Sequence, residues 1–335
     1  MISRKIRTIC FAALCSVAVL ACNKDDEKAE ALPSLNGQIK FEVDDFTTKK
    51  AKVTLVPRGV SHPAGEKLTY SWKISPAEKK SITSEAEDGS ISYEFPDSLG
   101  TLTVTCTASA TGYSTSSFSK YVTIVDKNET LSDMGFEDSD ETFTDPRDSR
   151  KYRIATIGDL DWFRQNLAYE QSGLPYAESK AMNDIFGRYY TWQEAKSACP
   201  PGWRLPTEED WTNLGKEITG DTSLKPCSQI KNAAGKLMVK AKFNGSEMWE
   251  YFPKVVISNS SKLSVIPTGY ANIFKTTKDF TGGFEYAIFW TDTPSDTKPE
   301  QAYYRFLNVE EPDILIGSGD INSFAATVRC VRDKQ

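Results

Sequence analysis

The sequence predicts two domains in series, an all-β sandwich over residues 37–126 and an α+β domain over residues 146–335. Three observations lead to this prediction. The first part contains short stretches in which apolar and polar residues alternate, and turn residues separate them. The second part combines such stretches with two helix-start signals. An acidic stretch at residues 127–145, which is poor in apolar residues, lies between the two parts and predicts a solvated linker.

Residues 1–21 have the pattern of a secretory signal peptide. Three basic residues precede an apolar run at residues 9–20, which is too short for a membrane-spanning helix. The sequence Val-Leu-Ala-Cys at residues 19–22 resembles the lipobox of bacterial lipoproteins. This resemblance implies that the chain is cut before Cys22, which then carries acyl chains that hold the protein at the membrane. A plain signal peptide followed by an incidental cysteine is the alternative.

Residues 22–36 are expected to form a lipidated tether. The sequence Asn-Lys-Asp-Asp-Glu at residues 23–27 resembles the surface-export signal of lipoproteins in the Bacteroides group. A charged, solvated tether without an export role is the alternative. No later stretch is apolar enough to span a bilayer, so the lipid is the expected contact with the membrane. The resemblance implies an outer-membrane lipoprotein that is exposed at the cell surface.

Charge and histidine content narrow the range of functions. The signal segment holds three basic residues and no acidic one, so its removal takes the net charge from −6 to −9. An acidic protein of this kind is not expected to bind nucleic acid or anionic lipid. The one histidine, His62, lies in the first domain. The second domain therefore has no serine–histidine or cysteine–histidine catalytic arrangement and no histidine zinc site.

The stretch at residues 68–74 is typical of the first domain, because every second side chain in it is apolar. Together with Gly-Thr-Leu-Thr-Val-Thr-Cys-Thr-Ala at residues 100–108, it resembles immunoglobulin-like and PKD-like domains of bacterial surface proteins. That resemblance implies a sandwich that serves as a spacer. The strand at residues 52–56, where a disulfide partner would be expected, lacks a cysteine. Cys106 is therefore predicted to be a buried free thiol, and Trp72 to be a core residue.

Two helices are predicted in the second domain from their capping residues. Thr191 and Glu194 have the spacing of a capping box, and the helix that they open must end before Pro200. Thr207 is a second N-cap, because three acidic residues follow it and favour the positive end of the helix dipole. This helix ends at Gly220. Its apolar face consists of Trp211, Leu214 and Ile218.

Several motifs of the second domain occur in a characteristic order. They are Tyr-Thr-Trp-Gln-Glu-Ala at residues 190–195, Cys-Pro-Pro-Gly-Trp-Arg-Leu-Pro at 199–206, Pro-Thr-Gly-Tyr at 267–270, Ala-Ile-Phe-Trp-Thr-Asp-Thr at 287–293 and Ala-Thr-Val-Arg-Cys-Val-Arg-Asp at 326–333. These motifs closely resemble the Fibrobacter succinogenes major paralogous domain. The resemblance covers residues 146–335. It implies a C-type-lectin-like fold, shared with formylglycine-generating enzymes, in which two helices flank a small, twisted antiparallel sheet.

Four cysteines remain beyond the signal peptide and the lipidation site, and the sequence alone allows three pairings among them. In C-type-lectin-like folds the first helix is often tied to the last strand. The resemblance therefore implies a disulfide between Cys199 and Cys330. Cys227 is then unpaired, or it is linked to Cys106 if the domains touch.

The sequence offers weak signals for catalysis and for calcium. Formylglycine-generating enzymes use redox-active cysteines near the C-terminus, where this chain has only Cys330, which the disulfide already uses. Glu311 and Asp313 lie in a Glu-Pro-Asp triplet that partly resembles the calcium-binding triplet of sugar-binding C-type lectins. The Trp-Asn-Asp triplet of those lectins does not follow, and residues 127–145 lack the spacing of an EF-hand. No metal site or cofactor is expected, although oxygen-rich loops could bind calcium weakly.

Aromatic residues between the helices and the last strands are the remaining candidates for ligand contacts, and besides those named below they include Phe252, Phe280, Phe284 and Tyr286. We predict a non-enzymatic surface lipoprotein whose second domain binds a glycan or a protein. The alternatives are a structural or adhesin-like assembly component and a degenerate enzyme on a formylglycine-generating scaffold. Ligand identity, calcium dependence and oligomeric state are left open. The candidate ligand-binding residues are Trp249, Tyr251, Tyr270, Phe274, Glu311 and Asp313.

Overall fold

The computed structural model describes residues 31–334. The predicted signal peptide at residues 1–21, the lipidation site Cys22 and most of the predicted tether lie outside the described residues. The described chain divides into two units. Unit 1 consists of the residues up to Val43, Lys50–Pro96 and Thr101–Val122, and unit 2 consists of Asp44–Lys49, Asp97–Gly100 and the residues from Thr123 onward.

The strands of the first third of the chain are short and are separated by turns, as the alternating pattern predicts. In chain order they are β1 (Asn36–Lys40), β2 (Phe46–Thr48), β3 (Lys52–Leu55), β4 (Arg58–Ser61), β5 (Thr69–Ser75), β6 (Ile82–Thr83), β7 (Ile91–Glu94), β8 (Gly100–Ser109) and β9 (Ser116–Val125). All but β2 lie wholly or mainly in unit 1.

The remaining strands belong to unit 2. They are β10 (Leu131–Ser132), β11 (Thr142–Thr144), β12 (Lys151–Ile157), β13 (Leu160–Phe163), β14 (Leu174–Pro175), β15 (Arg188–Thr191), β16 (Lys242–Phe243), β17 (Ser246–Glu247), β18 (Tyr270–Ile273), β19 (Lys278–Thr281), β20 (Tyr286–Pro294), β21 (Gln301–Asn308), β22 (Leu315–Asp320), β23 (Phe324–Ala326) and β24 (Val331–Asp333).

Helices are few, and they all lie in unit 2. They are α1 (Asn183–Phe186), α2 (Trp192–Ala198), α3 (Glu208–Thr219) and α4 (Ala234–Leu237), with two single 3₁₀ turns at Tyr176–Glu178 and Lys180–Met182. Among residues 31–334, none of these helices has the length and apolar character needed to cross a bilayer. The chain is therefore rich in β-structure in both units.

Unit 1 is built around the antiparallel pair β5 and β8, in which Trp72 lies opposite Cys106. Successive side chains of a strand point to opposite faces, so Val104 and Cys106 both face the core and are fully buried. Trp72 is also fully buried, and its indole nitrogen donates to the backbone carbonyl of Gly89 at 3.0 Å. Cys106 forms no disulfide. The predictions of a core tryptophan and a buried free thiol are confirmed.

Three sheets form the main body of unit 2. The first has the order β11-β12-β13-β24, the second β14-β15-β23-β18-β19, and the third β20-β21-β22. The last strand, β24, pairs with β13 so that Val331 lies opposite Trp162. The C-terminal end of the chain therefore returns to the strands that open the unit.

The two predicted helices, α2 and α3, begin at the predicted caps. The side chain of Thr191 accepts from the backbone N–H of Glu194, whose carboxylate accepts from the Thr191 backbone in return. Thr207 and Asp210 form the same reciprocal arrangement at the start of α3. This helix ends at Gly220, which has a φ of 75° that favours glycine. The predicted starts of both helices and the predicted end of α3 are confirmed.

The disulfide implied by the family resemblance is present between Cys199 and Cys330. Cys199 directly follows α2 and Cys330 directly precedes β24, and their Cα atoms are 5.8 Å apart. The two cysteines are separated by 131 positions in the sequence. The bond therefore ties the first predicted helix to the last strand. Cys227 is unpaired.

The acidic segment at residues 127–145 differs from the solvated linker that its composition predicts. It contributes β10 and β11 to unit 2, and both Thr130 and Asp145 are fully buried. Its carboxylates have cationic partners: Asp140 pairs with Arg164, and Asp145 pairs with Arg147 at 2.7 Å. An acidic composition indicates solvation only when such partners are absent. Unit 2 therefore includes this segment, which lies before the predicted boundary.

Candidate ligand-binding groove

Unit 2 contains a groove with a volume of about 380 Å³, which is in the range of small-ligand sites. Side chains from five strands, β18 and β20 to β23, meet in it. Most of them are aromatic and half-buried. The lining residues are Tyr270, Asn272, Tyr286, Ile288, Tyr304, Phe306, Ser318 and Phe324.

A stack of three rings forms one wall of the groove. The ring of Phe324 stacks on that of Tyr270, with centroids 5.1 Å apart, and on that of Tyr304, with centroids 4.9 Å apart. Trp290, which is fully buried, meets Phe324 edge to face at 5.4 Å. The Trp290 indole nitrogen donates to the backbone carbonyl of Tyr190 at 2.8 Å. The stack therefore rests on a fixed core residue.

Two glycines of β22 leave room for these rings. A Cβ atom at Gly317 would come within 2.5 Å of the Tyr304 ring, and one at Gly319 would come within 2.6 Å of the Phe324 ring. Atoms cannot approach this closely without a shift of the backbone or the ring. The Gly-Ser-Gly sequence at residues 317–319 thus lets the rings lie directly against the strand.

The polar groups of the groove are uncharged. Within residues 31–334, the amide of Asn272 and the hydroxyls of Tyr270 and Tyr304 have no protein hydrogen-bond partner. Ser318 differs, because its hydroxyl donates to the side-chain oxygen of Gln301 at 2.6 Å. The free groups can both donate and accept hydrogen bonds.

Two tyrosine hydroxyls of the groove have a pKa raised above its ordinary value. Burial raises the pKa of Tyr270, and the nearby Tyr286 and Asp279 raise it further. Burial also raises the pKa of Tyr304, with a smaller contribution from Tyr270. These hydroxyls are therefore neutral groups at physiological pH.

Residues 155–332 match the model of the Fibrobacter succinogenes major domain family. The chain belongs to this family. The matched region, called the family domain below, lies within unit 2 and includes every residue that lines the groove. The family predicted from the sequence motifs is confirmed.

Comparison with proteins of curated function finds no match to this chain. Among solved structures, the adhesin InvE of Yersinia pseudotuberculosis is similar over 89% of this chain and 70% of its own chain, with 11% sequence identity and a TM-score of 0.26. A similarity at this TM-score carries no argument about the fold or the function of this protein.

The family domain brings two of the aromatic candidates, Tyr270 and Tyr286, into the groove. Tyr270 is part of the ring stack. Trp249 is only 5% exposed, and its indole nitrogen donates to the backbone carbonyl of Val265 at 3.2 Å, so this residue belongs to the core. Tyr251 and Phe274 are 86% and 56% exposed, and neither lines the groove.

Glu311 and Asp313 shape a loop in the structure. A carboxylate oxygen of Asp313 accepts from the backbone N–H of Asn232 at 2.8 Å. The backbone N–H of Glu311 donates to the side-chain oxygen of Asn308 at 2.9 Å. Within residues 31–334, no group of three or more histidine, cysteine, aspartate or glutamate side chains is arranged to hold a metal ion.

The sequence does not predict a ligand contact for three aromatic residues of the groove, Tyr304, Phe306 and Phe324. Tyr304 and Phe306 alternate along β21, which reads as an ordinary strand pattern. The one local signal is the pair of glycines at 317 and 319 in a strand, since glycine in a strand often marks a close approach of another group. Nothing in the sequence says which rings approach there.

A second, wider depression of about 620 Å³ lies elsewhere in unit 2. Three lysines and three carboxylates line it, and one such pair, Lys242 and Asp133, is bridged at 3.0 Å. The depression therefore carries both positive and negative side chains, and the bridged pair is partly exposed to solvent. The aromatic groove is the better candidate site, because its side chains are half-buried and are held by packing.

Proposed function

We propose that this chain is a non-enzymatic, lipid-anchored surface protein whose family domain binds an extracellular glycan through the aromatic groove. The observation that carries the proposal is the ring stack of Tyr270, Phe324 and Tyr304 beside unpartnered neutral hydrogen-bonding groups. Sugar rings have apolar faces that stack on aromatic side chains and hydroxyls that need polar partners. The groove offers both features together.

The chemistry of the groove supports binding in preference to catalysis. Among the described residues that line it, none is aspartate, glutamate, histidine, lysine, arginine or cysteine. General acid–base catalysis needs a group that titrates near the working pH, and a nucleophile needs a base beside it. Cys330, the candidate redox residue for an enzyme, is fully buried and bonded to Cys199.

The signal-peptide pattern and the lipobox resemblance support the proposed anchoring at the outer membrane. The test is metabolic labelling of the expressed protein with a radioactive fatty acid, for the natural chain and for a Cys22→Ser variant. We expect labelling and membrane association of the natural chain and the loss of both in the variant. Equal labelling of the two chains would show that the lipid is not on Cys22.

The binding function is tested by a glycan-array screen of residues 23–335, produced without the lipid. The screen is run once with calcium and once with a chelator. We expect a defined set of glycans to bind under both conditions, because the groove holds its polar groups without a metal. If no glycan binds and an affinity purification instead yields a stable protein complex, the glycan-binding proposal fails and an assembly role takes its place.

A further inference from the structure

We infer that the ligand of the groove is an uncharged saccharide of pyranose rings, bound by stacking and neutral hydrogen bonds. This inference rests on the proposed function and narrows it. The juxtaposition that carries it is a rigid aromatic wall next to amide and hydroxyl groups, with no cation among the lining residues to hold a carboxylate or sulfate group.

The geometry of the wall suits a pyranose. The ring of Phe324 is inclined by 28° to that of Tyr270 and by 17° to that of Tyr304, so it is close to parallel with each neighbour. The support of these rings by Trp290 and by the two glycines of β22 means that little side-chain freedom is lost on binding. Because rings whose centroids are 5.1 and 4.9 Å apart overlap, a pyranose can stack only on the ring faces that stay open to the groove.

The polar groups select for hydroxyls. The Asn272 amide can donate and accept hydrogen bonds, and it lies on the same face of β18 as Tyr270, because alternate residues of a strand share a face. The hydroxyl of Tyr304 adds another neutral donor and acceptor. Sugar hydroxyls have this same dual character, which a neutral site can satisfy without a metal.

The charges near the groove act against acidic sugars. Asp279 lies opposite Asn272 in the β18–β19 pair, and its carboxylate is close enough to act on the Tyr270 hydroxyl. The nearest lysine of that strand, Lys278, is engaged by Glu178. A uronic or sialic acid would therefore approach the Asp279 carboxylate without a cation among the residues that line the groove.

The inference is tested by titration calorimetry on residues 23–335. The probes are neutral cellopentaose, xylopentaose and mannopentaose, and charged trigalacturonate and sialyllactose, each with calcium and with a chelator. We expect at least one neutral probe to bind under both conditions and neither charged probe to bind. Binding of a charged probe more tightly than every neutral one, or binding lost in the chelator, would overturn the inference and leave the glycan-binding proposal standing.

Variants locate the site. Tyr270→Ala removes one ring of the stack and is expected to weaken the neutral probe at least about tenfold. Asn272→Ala removes the free amide with little change in packing, which keeps the test valid if Tyr270→Ala misfolds. Tyr251→Ala is the matched control, because Tyr251 is largely exposed and lies outside the groove. Unchanged affinity in both groove variants would overturn the inference.

If the proposed glycan-binding function itself is wrong, the experiments give a different result. In that case no probe and no array glycan binds to the natural chain, although its near-ultraviolet circular dichroism shows an ordered core. The inference then falls with the function on which it rests. A positive array with unaffected groove variants instead moves the glycan site elsewhere on the chain.

Discussion

Arg305 and Glu208 form an ion pair that is almost completely removed from solvent. The Arg305 Nε donates to a Glu208 carboxylate oxygen at 2.9 Å, and the same guanidinium donates to the backbone carbonyl of Ser228 at 2.7 Å. A buried charge is tolerated only while its partners remain. This pair joins the start of α3 to β21, so it bears on the stability of unit 2.

Replacing Arg305 with methionine is expected to lower the free energy of unfolding by about 3–5 kcal/mol, because it leaves the buried Glu208 carboxylate without its cationic partner, with the backbone N–H of Cys227 as a remaining donor. The measurement is chemical denaturation of the two proteins. Lys278→Met is the matched control, since the Lys278–Glu178 pair is partly exposed and is expected to contribute less than about 1 kcal/mol. Equal losses in the two variants would contradict the prediction.

The two free cysteines of residues 31–334, Cys106 and Cys227, are expected to differ in reactivity. Thiols react as thiolates, and burial raises the pKa of Cys106 to about 12. In the folded protein Cys106 is therefore expected to stay unmodified by a disulfide-exchange reagent at neutral pH, whereas the half-buried Cys227 reacts slowly. The measurement is the number of thiols modified over time before and after denaturation. A folded Cys227→Ser variant that reacts as fast as its denatured form would contradict this expectation.

Single residues were predictable from the sequence where a local pattern decides their environment. Cys106 and Trp72 were predicted to be buried because they lie on the apolar faces of alternating strands. Trp249 was a candidate ligand contact, yet it is buried, because its sequence neighbourhood is loop-like and only tertiary packing covers its indole. An aromatic residue in a loop does not reveal from sequence which of these two environments it has.

At the level of elements, the cap of α3 combines local and long-range bonds. Thr207 and Asp210 bond to each other, and Arg204 donates to an Asp210 carboxylate oxygen at 3.0 Å. Burial acts to raise the pKa of Asp210, but the hydrogen bonds from Arg204 and Thr207 outweigh it, so the pKa is lowered. The ionised carboxylate therefore stabilises the folded state.

This cap predicts a pH dependence with a definite sign. The folded pKa of Asp210 lies below its unfolded value of about 3.9, so its contribution is complete above that pH and is lost as the pH falls through the folded pKa. Asp210→Asn is expected to cost about 1 kcal/mol or more at pH 7 and progressively less on acidification. The measurement is denaturant unfolding between pH 7 and about pH 3.

Glu209→Gln is the matched control for this prediction. Glu209 is exposed in the same helical turn and is not part of the cap. A difference between wild type and Asp210→Asn that does not change with pH would show that the carboxylate charge plays no part in the cap.

The start of a helix depends on residues a few positions apart, and this is why the sequence predicts α2 and α3 at their caps.

The groove depends instead on residues that are distant in sequence. The rings of its stack come from β18, β21 and β23, which are separated in sequence and converge only through the pairing of strands and sheets. Each of these strands is recognisable by its alternation, but alternation does not specify a partner. The site could therefore be predicted only to the extent of Tyr270 and Tyr286.

For the molecule as a whole, the segment at residues 127–145 decides where unit 2 begins. Arg164 is fully buried and pairs with Asp140 of that segment, and it also donates to the backbone carbonyl of Gly135 and to the Ser264 hydroxyl. Burial lowers the pKa of Arg164, while Asp140 acts to raise it. The acidic segment thus supplies the counter-charge for a core arginine.

Asp140→Asn in the full chain is expected to destabilise unit 2 by about 3–5 kcal/mol, because it leaves the Arg164 guanidinium without a carboxylate. Glu141→Gln changes the adjacent residue in the same way, and its partner Arg332 keeps a second carboxylate, Asp161, at 3.0 Å. Calorimetric unfolding of both variants tests the prediction. If the segment were a solvated linker, neither substitution would shift the transition of unit 2.

Patterns along the chain were enough to predict the order of the strand-rich parts, the helix caps and the burial of Trp72 and Cys106, because these depend on local spacing. The family was predicted from the resemblance of its motifs. The pairing of Cys199 with Cys330 followed from the family resemblance. Only the tertiary structure decided that the acidic segment is packed, that Trp249 is buried and that Tyr270, Tyr304 and Phe324 form one wall. The physical reason is that burial and charge compensation depend on residues far apart in sequence, whose approach is set by sheet pairing and core packing.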